Sequence, residues 1–473
     1  MELTKTYDGL RFEIVYGSYT GMEKHAIDLV QAAVKRYVPY ILALHTAPTG
    51  KACPIYVGTK ESNPHIASLL ADVTLAEDAT YVKVWGEGTE QAVIVSGGSA
   101  ASCYYAAVEF ADEYLPDLRR RRGWGNPFFV KPFIDPLLPY EHLSRPLVKE
   151  RGLWTWGHVI FDYRRYLDNM ARLKMNKVTV WNDFAPINGR EFVDYAHSLG
   201  IKVIWGYSWI WDEKPEEVVT DPAARKVWKE KIVTEYADHY AHLGGDGIYF
   251  QTFTETGVET IEGRNRAECA VEWVNEVGNA LWEKFPDLKI EFGLHATSVK
   301  NSLEEIAKTD ERMDIIWEDC GAFPFAYGAN EVENACETEN FCRSIARLRG
   351  GKGFGAVTKG LSWLDWSQFA HQTGPFLLGV SDRQEIAEKY KWREDILRHQ
   401  TSFWLENGEI AFRMIRTMAE ESNGNAMICG LLEDGLFEES MWLPAVLFAR
   451  MLWDGESDYK TLVGKASRAE YWK

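Results

Sequence analysis

Phe161-Asp-Tyr-Arg-Arg-Tyr-Leu-Asp-Asn-Met-Ala-Arg-Leu-Lys-Met-Asn-Lys-Val-Thr-Val-Trp181 is the stretch on which the fold turns. Asp162 stands where an N-cap would, and Tyr166, Leu167, Met170 and Leu173 recur on one helical face. Residues 177–182 then read as a short buried strand. The next stretch, Phe192-Val-Asp-Tyr-Ala-His-Ser-Leu-Gly-Ile-Lys-Val-Ile204, repeats the pattern. A helix over 190–199 stops at Gly200, and a strand over 201–209 follows.

Working outward, the alternation continues in both directions. A strand at 152–156 precedes the first helix. Downstream, Asp221-Pro222 opens a helix with an N-cap and a proline at its first position, and Gly244-Gly245 closes it. A strand at 247–253 is followed by a helix carrying Ala270, Trp273, Val274, Val277 and Leu281 at helical spacing. Further strands are expected at 289–294, 314–317, 355–361 and 426–432, with helices at 387–419 and 441–452. Eight strands, each followed by a helix, predict an α/β chain folded as a (β/α)8 TIM barrel over 151–473. A doubly wound open sheet is the alternative, and the strand count and missing glycine fingerprint stand against it. The stretch 376–380 is also strand-like and competes for the seventh or eighth position.

Before the barrel, residues 1–115 read as a small α/β N-terminal domain. Its strands are expected at 10–15, 55–57, 81–84 and 92–96, and its helices at 22–37 and 99–114. Residues 116–150 read as a linker punctuated by Pro116, Pro127, Pro132, Pro136, Pro139 and Pro146, with four arginines at 119–122.

The 473 residues carry a formal net charge of −18, which argues against nucleic acid and anionic membrane surfaces as partners. No apolar run is long enough to span a bilayer, and the chain does not start like a signal peptide. Seven scattered cysteines read as reduced thiols, so the expected location is cytoplasmic. Neither Cys-x-x-Cys nor His-Glu-x-x-His occurs, so no metal and no cofactor is expected. A homodimer is compatible with the sequence. Nineteen tryptophans need a reason, either core filling or flat platforms for ligand rings.

Barrel active sites lie at the C-terminal strand ends. There the sequence places Trp181, Asn182 and Asp183; Tyr207, Trp209 and Trp211; Gln251 and Glu255; His295; Glu318 and Asp319; Lys359, Trp363 and Asp365; and Glu433. Carboxylates beside aromatic faces suit glycoside hydrolysis, in which one carboxyl protonates the leaving oxygen and a second acts as base or nucleophile. Glu255 is the leading acid, because its neighbours Phe253, Thr254 and Thr256 are uncharged. Glu318 and Asp319 are its candidate partners. Adjacent strand residues face opposite sides, so one of the two should face the cavity, and the sequence leaves open which. The remaining residues named are candidate substrate contacts, with Asp183, Asp365 and Glu433 as reserve catalytic carboxylates and with Trp209 and Trp211 expected to be exposed. Two other readings stand beside this one. A sugar lyase or isomerase would use His295 or Lys359 as base, and a non-catalytic barrel would bind glycans without turnover.

The two stretches quoted first resemble the opening barrel repeats of glycoside hydrolase family 20, and are similar to the related α-glucuronidase families 67 and 115. His242-Leu-Gly-Gly-Asp246 is similar to the family 20 lead into the fourth strand, and Ile55-Tyr-Val-Gly58 with the helix after Gly98 resembles the small domain these families place before their barrels. The resemblance implies exo-acting hydrolysis at the terminal sugar of a glycan or oligosaccharide. It implies Glu255 as acid and a carboxylate after the sixth strand, Glu318 or Asp319, in base catalysis. It also meets a departure. Family 20 carries an adjacent Asp-Glu pair after the fourth strand, whereas here Glu255 follows Thr254 and Asp246 precedes Gly247.

Overall fold

A computed structural model of the chain describes residues 10–121, 136–182, 184–210, 215–254, 258–295, 298–319, 335–361, 374–432 and 436–468. The chain divides into two compact units, one running to Pro146 and the other formed mainly by Leu147–His197 and Ile201–Val463.

The first unit contains β1 (Phe12–Tyr16), α1 (Gly21–Lys35), β2 (Ala43–His45), β3 (Cys53–Gly58), α2 (Pro64–Leu69), β4 (Thr80–Trp85), β5 (Ala92–Gly97), α3 (Ala100–Glu109), α4 (Leu115–Arg121) and β6 (Tyr140–Ser144). Its six-stranded sheet has the order β2-β1-β3-β5-β4-β6. β1, β2, β3 and β5 are parallel, while β4 and β6 join as an antiparallel edge. Ser99 starts α3 with a capping box shared with Ser102, directly after the expected Gly97-Gly98 turn. Two elements lie inside the stretch read as linker. α4 prolongs the helical run past Pro116, and β6 pairs with β4 from Thr80↔Ser144 to Val84↔Tyr140. β6 reads as a polar loop because its side chains are mostly exposed. It is held by the buried carboxylate of Glu109, which accepts from Tyr140 at 2.9 Å and pairs with His142 at 2.7 Å. No local sequence pattern announces those bonds.

The second unit is a closed parallel barrel. Its elements are β7 (Glu150–Trp156), α5 (Tyr163–Arg172), β8 (Lys177–Trp181), α6 (Gly189–Ser198), β9 (Lys202–Gly206), α7 (Pro215–Thr220), α8 (Pro222–Glu235), β10 (Gly247–Gln251), the short hairpin β11 (Thr260–Ile261) and β12 (Arg264–Asn265), α9 (Arg266–Lys284), β13 (Lys289–His295), α10 (Leu303–Ile306), β14 (Met313–Glu318), α11 (Ala335–Ala346), β15 (Phe354–Thr358), α12 (Arg383–Glu421), β16 (Met427–Leu431), α13 (Leu443–Trp453) and α14 (Tyr459–Arg468). The strands close in the order β7-β8-β9-β10-β13-β14-β15-β16, with β16 pairing back onto β7 from Met427↔Glu150 to Leu431↔Trp154. The chain is therefore a (β/α)8 TIM barrel preceded by a small α/β domain. The competing stretch 376–380 is no barrel strand, and only Val380 forms an isolated bridge, to Asp162. The expected caps are present: Asp162 accepts from the Arg165 amide and Asp221 from the Ala223 amide.

Strand alternation sorts the barrel's side chains into an inner and an outer set. Trp154, Trp156, Trp181, Ile204, Tyr249, Ile316, Val357, Cys429 and Leu431 form one buried inner cluster. Below them, at the N-terminal strand ends, the interior is charged. The buried Lys177 ammonium donates to Glu291 and lies 3.7 Å from Glu150, which also holds Lys202 at 2.5 Å. Burial works against the Lys177 charge, but Glu291, Cys429 and Glu150 outweigh it and raise its pKa.

Candidate active site

The site is built on β10, β13, β14 and β15, four consecutive barrel staves. Ile316 belongs to the inner cluster, so Glu318, two residues on, also faces inward, while Asp319 turns away. Of the two adjacent carboxylates, Glu318 is therefore the one that faces the barrel interior. Glu318 is buried, and both of its oxygens are engaged. Oε1 accepts from the Tyr249 hydroxyl and from Gln251 Nε2, and Gln251 Nε2 also lies 3.2 Å from the Tyr249 oxygen. Oε2 lies 2.5 Å from the Lys359 ammonium. All three partners are donors, so the carboxyl group is arranged as an acceptor.

Asp319 does different work. Its Oδ1 accepts the Lys359 backbone amide at 2.7 Å, and its own amide donates to Val357 O at 3.1 Å. It therefore fixes the backbone from which Lys359 reaches Glu318.

The grip on Glu318 depends on a missing side chain. Tyr249 and Gln251 sit on β10, Glu318 on β14, and β13 runs between them. Gln251 is in register with Gly293 on β13, and Gly293 with Ile316 on β14. A Cβ at position 293 would fall 2.2 Å from the Tyr249 hydroxyl oxygen and 2.8 Å from Gln251 Cγ. Glycine leaves the gap through which both side chains cross the intervening strand.

His295 ends β13 opposite Glu318. Burial, followed by the nearby Lys359 charge, lowers its pKa to about 4, against an opposing pull from Glu318. The imidazole is therefore neutral near neutral pH. Trp181, in the same inner cluster as Tyr249, is stacked on Trp154 at 6.1 Å between centroids and edge-on to Tyr249 at 6.0 Å. Asn182 is buried where Gly157 gives it room; a Cβ there would come within 1.5 Å of its Oδ1.

Two residues at the strand ends are backbone outliers. Ile210 and Phe253, neither of them glycine, have φ of 65° and 59°. Arg266, at the start of α9, donates to Phe253 O at 3.2 Å and to Val258 O at 2.6 Å. It thus ties down the backbone on both sides of residues 255–257.

The structure brings together Glu318, Gln251, Lys359 and His295 from the residues named by sequence, with Trp181 against Tyr249, which holds Glu318. Glu255, Asp183, Trp211, Trp363, Asp365 and Glu433 lie outside the described residues. The exposure expected of Trp209 is not found. It is fully buried, with its ring against Phe250 at 3.5 Å and an interplanar angle of 9°. Tyr207 is also buried. On β9 the inward positions are even-numbered, so Tyr207 points outward, stacking on Tyr240 at 5.0 Å. Tyr249 and Gly293 were missed. Tyr249 lies two residues before Gln251 and shares its face, and a glycine amid apolar strand residues marks a close approach; these were the available signals.

No protein-family description matches the sequence, and no curated protein does. Among solved structures, the whole chain is similar to the GH20 β-N-acetylhexosaminidase of Streptomyces coelicolor A3(2). The TM-score is 0.51 at 11% identity, covering 98% of this chain and 92% of that one. At that identity the likeness shows the fold, a barrel together with the domain before it. Looser matches are a GH18 chitinase from Pseudoalteromonas aurantia, with TM-score 0.35, 8% identity and 60% and 93% coverage, and the β-galactosidase of Marinomonas ef1, with TM-score 0.38, 11% identity and 64% and 59% coverage. These neighbours are glycoside hydrolases. Among the described residues no cluster of His, Cys, Asp and Glu could hold a metal ion, and no helix is long and apolar enough to cross a membrane.

Proposed function

We propose that this chain is a glycoside hydrolase, exo-acting on the terminal sugar of a glycan or oligosaccharide. The observation that carries the reading is the buried, inward-facing Glu318 at the C-terminal end of a barrel strand, held by three donors. A carboxylate fixed in this way suits the base or nucleophile of glycoside hydrolysis. Glu255, after β10, is assigned the general acid, and Arg266 holds the backbone on either side of it. Asp319 is assigned a supporting place through the Lys359 amide. Asn182, Gln251, His295 and Lys359 are assigned to substrate hydroxyls, with Trp181 as the floor.

The chemistry follows from those assignments. The glycosidic oxygen takes the proton of Glu255 as its bond to the anomeric carbon breaks. Glu318 either takes the proton of an attacking water or forms the bond to that carbon itself. The lyase or isomerase reading draws less support. Lys359, one of the two bases that reading would use, is held in an ion pair with Glu318.

A panel of aryl glycosides and oligosaccharides, with wild type, Glu318→Gln and Glu255→Gln, tests the proposal. Hydrolysis by wild type and its loss in both variants are expected. An unsaturated product would favour a lyase, and tight glycan binding without turnover a binding protein.

A further inference from the structure

We propose that Tyr249 is the positioning residue of the site, pinning the Glu318 carboxylate from beneath through a window that exists only because residue 293 is glycine. The inference rests on the reading of Glu318 as a catalytic carboxylate, and it adds the device that sets how that carboxylate is presented.

Three observations carry it. First, Tyr249 lies wholly inside the barrel with its hydroxyl on Glu318, so it acts through that neighbour. Its ring is clamped edge-on by Trp154 at 5.8 Å and by Trp181 at 6.0 Å, which fixes the direction of its hydroxyl. Second, that hydroxyl and Gln251 Nε2 both donate to Oε1 of Glu318, leaving Oε2 turned to Lys359, whose side chain is the more exposed of that pair, 21% against 2%. One oxygen is thus anchored in the barrel and the other directed to the groups nearer solvent. Third, the anchor crosses a whole strand. The 2.2 Å between an added Cβ at 293 and the Tyr249 oxygen means that any side chain there displaces the phenol. A hydroxyl serving only to satisfy itself in a core would not require an empty position on the intervening strand.

A hydrogen bond to a carboxylate is stronger than one between neutral groups, so removing it has a signature that packing lacks. In Tyr249→Phe the ring and its aromatic contacts stay while the donor goes. The expected result is a kcat lower by about 10–100-fold with KM nearly unchanged, the strength of a hydrogen bond to a charged group. Gly293→Ala, which removes no polar group but displaces the phenol, should produce the same fall in kcat, and the double variant should add little to either.

A second readout is independent of turnover. In protein labelled with carboxyl-13C glutamate, the signal lost in Glu318→Gln should move in Tyr249→Phe and in Gly293→Ala. An unmoved carboxyl signal, or an unchanged kcat, in a folded Tyr249→Phe overturns the proposal. If wild type hydrolyses no glycoside while the signal moves as expected, the glycosidase reading fails and the positioning role stands.

Discussion

Individual side chains carry the sharpest consequences. Glu318→Gln keeps the shape but removes the charge and one of the two acceptor oxygens that Tyr249, Gln251 and Lys359 engage, and kcat on any accepted glycoside should fall by about 10²–10⁴-fold. Steady-state kinetics on a folded variant checks this. In the charged layer at the other end of the barrel, Lys177→Met leaves Glu291 and Glu150 without their shared buried cation. Orphaning a buried charge costs about 3–5 kcal/mol, so a large fall in thermal midpoint is expected in a scanning calorimeter. The double variant Lys177→Met with Glu291→Leu should recover much of that loss, because both charges are then gone. Tryptophan shows where reading residues one at a time falls short. Trp209 reads as a platform because it follows a strand, yet its ring lies flat on Phe250 and is fully buried. Exposure is settled by what packs above a residue, which no local pattern contains.

Turns and loops are joined by single polar side chains, and these set the behaviour of whole elements. Asn63 caps α2, accepting from the His65 and Ile66 amides at 3.1 and 3.4 Å while its amide donates to Val15 O and Val57 O at 3.1 and 3.2 Å. It ties β1 and β3 to the helix, and Asn63→Ala should cost about 3 kcal/mol, measured by chemical denaturation. Glu438 does the same for the barrel. Fully buried in the loop before α13, it accepts from the Phe161 amide at 2.7 Å and the Asp162 amide at 3.3 Å. Burial is the main cause that pushes its pKa up to about 7, against the pull of those amides and with Asp162 adding to the rise. A raised carboxyl pKa means that the folded state holds the proton more tightly than the unfolded one. Stability is therefore full below the ordinary carboxylate range and is lost as pH rises towards 7, by on the order of 3 kcal/mol. Glu438→Gln should remove that slope and leave the protein more stable than wild type at pH 8. Thermal midpoints taken between pH 4.5 and 8 check it, and parallel curves for the two proteins would exclude the effect.

At the level of the whole molecule, the barrel was legible because its signal repeats. Each strand is a short apolar run bounded by helical periodicity, so an error of one or two residues at a boundary leaves the count of eight intact. β2 and β6 had no such support. β2 is three residues long, and β6 is polar and held by the distant Glu109. The site was legible as a set of strand ends, since a closed parallel barrel brings those ends together whatever its chemistry. How the group is wired was not. Glu318 and Asp319 are neighbours with opposite assignments, and only strand parity on the folded barrel separates the residue that faces inward from the one that holds a backbone amide. Tyr249 and Gly293 looked like ordinary strand residues because their importance lies across two neighbouring strands. The central claim is that this barrel hydrolyses glycosides through the carboxylate of Glu318. Its most direct test is sugar release from a panel of aryl glycosides and oligosaccharides by wild type and Glu318→Gln, side by side. The account predicts release by wild type and a loss of about 10²–10⁴-fold in the folded variant; equal release by both, or none by wild type, would contradict it.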